Sequence, residues 1–144
     1  MGAGVIFQDR TGKVLLLKPS YKEYWTIPGG AVENDESPLE ACIREAKEEI
    51  GINVTIKGLI LVDYLHSNGD VDENLQWIFN GGILGKRLAS NIKVDGKEIL
   101  DYKFMAIEDA VKMLGSKLAR RLSNYKKAFD SGQIAYMEDG LEIF

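Results

Sequence analysis

The chain has 144 residues, 45% of them apolar and 28% charged, with a net charge of −4. That is long enough for one domain with its own core, and it excludes a general nucleic-acid binder, which needs a basic footprint. One cysteine excludes an internal disulfide framework, no apolar run approaches the ~20 residues of a membrane span, and the start lacks a secretory signal; these features suit a protein of the reducing cytoplasm.

Taken in order, residues Gly2–Gln8 and Lys13–Lys18 are apolar and β-branched around Asp9-Arg10-Thr11-Gly12, which predicts a hairpin. Pro19–Tyr24 reads as a loop. Trp25-Thr26-Ile27-Pro28-Gly29-Gly30 then stops a strand at proline and supplies glycines that let backbone approach closely.

A helix is predicted over Pro38–Ile50. Ser37 serves as N-cap, Pro38 fits the first position, Glu40 completes a capping box, and Gly51 is the stop. At about 100° per residue, Leu39, Cys42, Ile43, Ala46 and Ile50 share one face, the expected core face. Glu45, Glu48 and Glu49 gather on another, roughly a third of a turn away. Carboxylates crowded on one face repel each other. A solvated acidic face is one outcome; a hard divalent cation such as Mg²⁺, which takes oxygen ligands, is the other. Arg44 stands i,i+4 to Glu48 and can orient a carboxylate with its fork of donors.

After the helix, Asn53–Leu65 is a long β-rich stretch and Leu75–Leu84 is a further strand. These are expected to pair across the polar loop His66–Asn74. His66, at the loop edge, reads as incidental. Gly85–Lys97 is loop-like, and Glu98–Ala106 is a strand. Glu108–Leu114 is a short helix and Ser116–Asp130 a longer one. Leu118, Leu122, Tyr125 and Phe129 form its buried stripe; the other face carries Lys117, Arg120, Arg121, Lys126 and Lys127, which reads as a solvated basic face or, alternatively, as a contact for a partner or a substrate phosphate. Ile134–Met137 and Leu141–Phe144, around Glu138-Asp139-Gly140, read as a small terminal hairpin or an extended tail. There are no repeats or linkers, and residues 1–144 read as a single domain.

The spacing Gly30, Glu36, Arg44-Glu45, Glu48-Glu49, Gly51-Ile52 resembles the signature of the Nudix hydrolases, the MutT-like superfamily, at every fixed position. Ala46 is smaller than the Leu, Ile or Val often found there. The family usually carries some residues ahead of the first strand, whereas Met1-Gly2 leads almost directly into it.

The resemblance implies an α/β fold, an α/β/α sandwich with a mixed central sheet. It implies hydrolysis of a phosphoanhydride bond in a nucleoside diphosphate linked to another group, with Mg²⁺ as cofactor and Mn²⁺ as a substitute. Glu45, Glu48, Glu49 and the Gly29 carbonyl are then the metal ligands, and Arg44 orients the glutamates, with Glu36 pairing to it. Glu45 or Glu98 is the base, with Asp95 and Asp101 behind Glu98. Tyr21, Tyr24, Trp25 and Trp77 are aromatic residues available to stack on a base, and core packing explains them equally well. A small-molecule nucleotide is the expected partner, and many small members are homodimers, to which Ile134–Phe144 would contribute. The alternative is a Nudix-fold sensor or scaffold without catalysis; such proteins tend to lose these carboxylates, and here all are present.

Overall fold

The computed structural model describes residues 1–144. Its centre is a mixed sheet of eight strands: β1 (Gly2–Gln8), β2 (Val14–Pro19), β3 (Gly29–Ala31), β4 (Gly58–Leu65), β5 (Asn74–Ile83), β6 (Ile99–Met105), β7 (Ala135–Glu138) and β8 (Leu141–Glu142). The spatial order is β6-β2-β1-β5-β4-β7-β8, with β3 pairing β1 off this path. β1 runs parallel to β5 and β4 parallel to β7; the other pairs are antiparallel. The expected pairing of the strands flanking His66–Asn74 is the β4–β5 ladder, which places Asp63 opposite Gln76.

Five helices complete the chain: α1 (Pro38–Ile50), α2 (Lys86–Ala89), α3 (Ile107–Met113), α4 (Ser116–Ser123) and α5 (Tyr125–Ser131). The ends of α1 follow its sequence. The Ser37 hydroxyl accepts from the Glu40 N–H at 3.1 Å, the Glu40 carboxylate accepts from the Ser37 N–H at 2.8 Å, and Gly51 takes the left-handed conformation at φ 73°.

Each sheet face buries its own core. On the α1 side, Val5, Phe7, Leu15 and Leu17 pack with Cys42, Ala46 and Ile50. On the opposite side, Ile6, Val14 and Leu16 pack with Ala110, Leu122 and Tyr125. Strand alternation produces this division.

Several boundaries differ from expectation. Leu39 and Ile43 are exposed, while Ala41 and Glu49 are buried with Cys42, Ala46 and Ile50. The buried arc of α1 is thus rotated by roughly 60° toward the acidic side, taking 100° per residue, and Glu49 sits near its middle. The predicted helix Ser116–Asp130 is broken at Asn124 (φ −115°, ψ 8°). Ser123 donates its hydroxyl to the Arg120 carbonyl there, and side chains of this kind compete with the helical ladder. Leu122 and Tyr125 are nevertheless buried across the break. The loop Gly85–Lys97 contains α2, residues 53–57 precede β4 rather than belong to it, and Glu98 lies just before β6. The terminal hairpin turns at Asp139-Gly140, both at positive φ (51° and 80°), the geometry of a two-residue primed turn. β7 extends the sheet from β4 instead of standing apart.

Candidate active site

The turn ahead of α1 carries Gly29 and Gly30 on β3, which lies against the start of β1. Both glycines are sterically required, for different reasons. A Cβ at Gly29, whose φ is 154°, would lie 2.4 Å from the Ala3 carbonyl oxygen and 2.6 Å from the Gly4 Cα. A Cβ at Gly30 would lie 2.4 Å from Glu45 Oε1. The first glycine lets two strands meet; the second leaves room for a carboxylate.

The inward rotation of α1 brings Glu49, 7% exposed, against this turn. Its Oε1 accepts from the Gly29 N–H at 2.7 Å. Burial pushes the Glu49 carboxyl up to about 8, with Glu45, Glu98 and Glu48 adding repulsion and the Gly29 N–H pulling the other way. Burial also raises Glu45, against the opposing pull of Arg44.

Arg44 ties the acidic face together. Its Nε donates to Glu36 Oε2 at 2.7 Å and its Nη2 to Glu36 Oε1 at 2.9 Å, a bidentate fork. Nη1 donates to Glu45 Oε1 at 3.0 Å and lies 3.4 Å from Glu48 Oε2, and Nη2 also reaches the Ala31 carbonyl at 3.2 Å. The guanidinium holds the Glu36 carboxyl down to about 2.

Glu98, just ahead of β6, is the fourth acid near this turn. Its negative charge acts on Glu45, Glu49 and Tyr21, and its carbonyl accepts from the Ser20 N–H at 2.9 Å, which ties it to the Tyr21 loop. Asp95 has a structural engagement: its Oδ1 accepts from the N–H groups of Lys97, Glu98 and Ile99, shaping the loop that presents Glu98. Asp101 accepts from the Tyr102 N–H.

Glu45, Glu48, Glu49 and Glu98 therefore share one neighbourhood, but no three acidic side chains are gathered closely enough to hold an ion as they stand. Glu45 is turned onto Arg44 and Glu49 onto Gly29, and Gly29 engages through its N–H rather than its carbonyl. The donor set still fits a hard divalent cation: oxygen ligands, mutual repulsion, and a carboxyl that burial pushes up to about 8.

A cleft of about 410 Å³ opens beside the turn, lined by Gly29, Gly30 and Glu49 at one part and by Asn74, Gln76 and Arg121 at another. Tyr21 is on its wall. The other aromatic candidates are not: Tyr24 is exposed, Trp25 packs against the α3–α5 core, and Trp77 packs against the α1 core. Strand parity explains Trp77, since Gln76 and Ile78 face the cleft and the residue between them faces away. Arg121 does not lie on a solvated basic face. It is 7% exposed, and its Nε donates at 2.6 Å to Asp63 Oδ2, whose residue is fully buried. The sequence signal was its place one residue before Leu122 in the buried stripe, which puts it at the edge of that stripe. His66 pairs with Asp139 at the protein surface, 2.8 Å between Nδ1 and Oδ2. No helix is long and apolar enough to cross a membrane.

Similarity to known proteins agrees with this arrangement. A putative 8-oxo-dGTP diphosphatase of Bacillus subtilis is 27% identical over 140 residues, covering 97% of this chain and 89% of that protein. The mRNA-decapping enzyme subunit 2 of Saccharomyces cerevisiae is 35% identical over 71 residues, 49% of this chain; the match spans only 7% of the yeast protein. The crystal structure of a MutT protein from Methanosarcina mazei superposes with a TM-score of 0.72 at 20% identity, over 89% of this chain and 93% of that one. An Ap4A hydrolase from C. elegans superposes with a TM-score of 0.67 at 25% identity, over 92% and 100%. The family model of the NUDIX domain matches residues 1–126. With that match spanning the glycine turn, the acidic helix and the whole cleft, this chain belongs to the NUDIX domain family, the MutT-like hydrolase superfamily.

Proposed function

We propose that this protein catalyses Mg²⁺-dependent hydrolysis of a phosphoanhydride bond in a nucleoside diphosphate linked to another group, with nucleoside triphosphates as the first substrates to test. The observation that carries the reading is Glu49: a carboxyl buried at the glycine turn, beside Glu45 and Glu98, on the wall of a cleft large enough for a nucleotide. Similar proteins are named for such reactions, among them the putative 8-oxo-dGTP diphosphatase of Bacillus subtilis and a CTP pyrophosphohydrolase of Escherichia coli, 42% identical over 52 residues.

Glu45, Glu48 and Glu49 would hold the metal, with the Gly29 backbone beside them. When bound, Mg²⁺ offsets the negative oxygens of the phosphoanhydride and favours attack at phosphorus. Arg44 positions Glu45 and Glu48 and is itself fixed by Glu36. The proton of the attacking water would pass to a carboxylate not fully committed to the metal, and Glu45 and Glu98 are the two candidates. Tyr21, on the cleft wall, offers a ring to the substrate. The buried free cysteine suits a reducing compartment, and we place the protein in the cytoplasm.

A phosphate-release assay over nucleoside triphosphates, sugar nucleotides, ADP-ribose and dinucleoside polyphosphates tests the reading. Turnover with Mg²⁺ that stops with EDTA supports it. Glu49→Gln should lower turnover by ~10²-fold or more, the scale for losing a positioned charged group. Full activity in that variant would overturn the assignment.

A further inference from the structure

The part of the cleft away from the acids has its own construction. Ala31, Gly2, Gln76 and Asp63 form one row across β3, β1, β5 and β4. Three strand spacings separate its ends, about 14 Å. At the far end Arg121 reaches down from α4 onto Asp63. Asp63 is held in turn by the Gly140 N–H, at 3.1 Å to Oδ1, so the guanidinium is anchored from two elements.

Three facts about this wall point to a ligand. First, Nε is the only Arg121 side-chain atom that hydrogen-bonds within the chain. The terminal nitrogens are not sealed from solvent either, since the unpaired buried side-chain atoms are Asn74 Oδ1 and Trp77 Nε1 alone. A buried ion pair is weak ground for stability, yet this one leaves donors facing a cleft. Second, the Gln76 carboxamide makes no hydrogen bond in the protein and lies over Gly2, where a Cβ would come within 2.5 Å of its Oε1. Gly2 and Gly4 leave the floor flat. Third, the Asp63–Arg121 pair is electrically neutral. Its pull on a phosphate is reduced while its directional donors remain, and Gln76 adds a donor and an acceptor side by side. Donors alone would suit an anion; this mixture suits the edge of a planar, uncharged ring.

We propose that Arg121, with Gln76 beside it, is the subsite that reads the nucleobase, and that it takes an edge carrying two adjacent acceptors. Guanine and cytosine present such an edge; adenine and uracil do not. The parallel nitrogens of an arginine meet paired acceptors of this kind in a bidentate contact. The inference rests on the nucleotide-hydrolase reading of the same cleft and adds the class of base that the cleft selects.

Equilibrium binding of nucleoside monophosphates to the full chain, by calorimetry with Mg²⁺ present, tests it without requiring turnover. GMP and CMP are expected to bind roughly 5- to 150-fold more tightly than AMP and UMP, the range for one bidentate base contact. Arg121→Lys keeps a charge opposite Asp63 but loses the fork; it should bring the four affinities within about threefold of one another. Gln76→Leu, which removes no charge, should reduce the preference in the same direction. Equal affinities in the wild type, or binding of none of the four, would overturn the proposal. So would an Arg121→Lys variant that weakens all four alike, because that result marks a phosphate contact. Base-selective binding with no Mg²⁺-dependent hydrolysis would instead overturn the proposed reaction and leave the subsite standing.

Discussion

Gly30→Ala separates the chemistry of the site from the stability of the fold. The new Cβ would sit 2.4 Å from Glu45 Oε1 and 2.6 Å from Glu45 Cδ, whereas ordinary van der Waals contact begins near 3.4 Å. The carboxylate must therefore retreat by about 1 Å, leaving its 3.0 Å contact with Arg44 Nη1. The obstructing atoms are the far end of a flexible side chain, so backbone and core stay in place, and the melting temperature should change by no more than about 3 °C, the equivalent of well under 2 kcal/mol for a chain of this size. A misplacement of about 1 Å in a catalytic group costs on the order of 10²-fold in rate, or ~2.7 kcal/mol of barrier. The assay is kcat for phosphate release from the best nucleotide of the panel, beside a thermal melt by circular dichroism. A Gly30→Ala protein that melts normally and turns over within threefold of wild type would refute the claim that Gly30 exists to make room for Glu45.

Gly29→Ala should behave oppositely. Its Cβ would strike backbone atoms of Ala3 and Gly4 at a φ of 154°, so a stability loss of roughly 3 kcal/mol or more is expected from clash and strain combined, read as a lower melting temperature; an unchanged melt refutes it. Glu36 is held at about 2 against an ordinary value of 4.5. A depressed acid contributes stability above its unfolded pKa and loses it as pH falls through the folded one, so the melting difference between wild type and Glu36→Gln should be full near pH 7 and fade between pH 4.5 and pH 2. A difference that grows on acidification would contradict the Arg44 pairing. Cys42 is fully buried, and burial pushes its thiol up to about 12. It should resist thiol reagents at pH 8 in the native protein and react at once in denaturant; rapid native labelling would show that the α1 core opens.

The helix α1 was legible to its last residue because its signals are local: a serine cap, a proline, a glutamate three residues on and a closing glycine. Most of the strands were legible as apolar runs, and the acidic cluster as a spacing; β3, Gly29–Ala31, was not, because it follows the proline expected to end a strand and residues before that proline form only isolated bridges. What sequence reasoning missed depends on distant partners. Leu39 and Ile43 have the right period for a core face, but α1 is turned so that Glu49 meets Gly29, and no window along the helix contains that contact. Arg121 looked like one more base in a solvated series because its partner Asp63 lies on β4, with four elements in between, and appears only as one acid in an apolar strand. Asn124 breaks a continuous apolar stripe that periodicity alone carries straight through. Strand parity puts Trp77 and Gln76 on opposite faces, but which of the two faces the cleft could not be assigned until β5 had neighbours on both sides.

The parallel seam between β1 and β5 has a consequence for how the protein reaches its working form. Gly2 and Ala3 pair with Gln76 and Trp77, so the cleft floor joins the first strand to one from the middle of the chain. Parallel pairing cannot begin from a tight turn, and contacts this remote in sequence must close a long loop before they are rewarded. The helix with its acids can nucleate early from its own caps, but the floor beneath the substrate is assembled late. A nascent chain released before β5 would carry the family's full acidic signature and have no cleft to use it in.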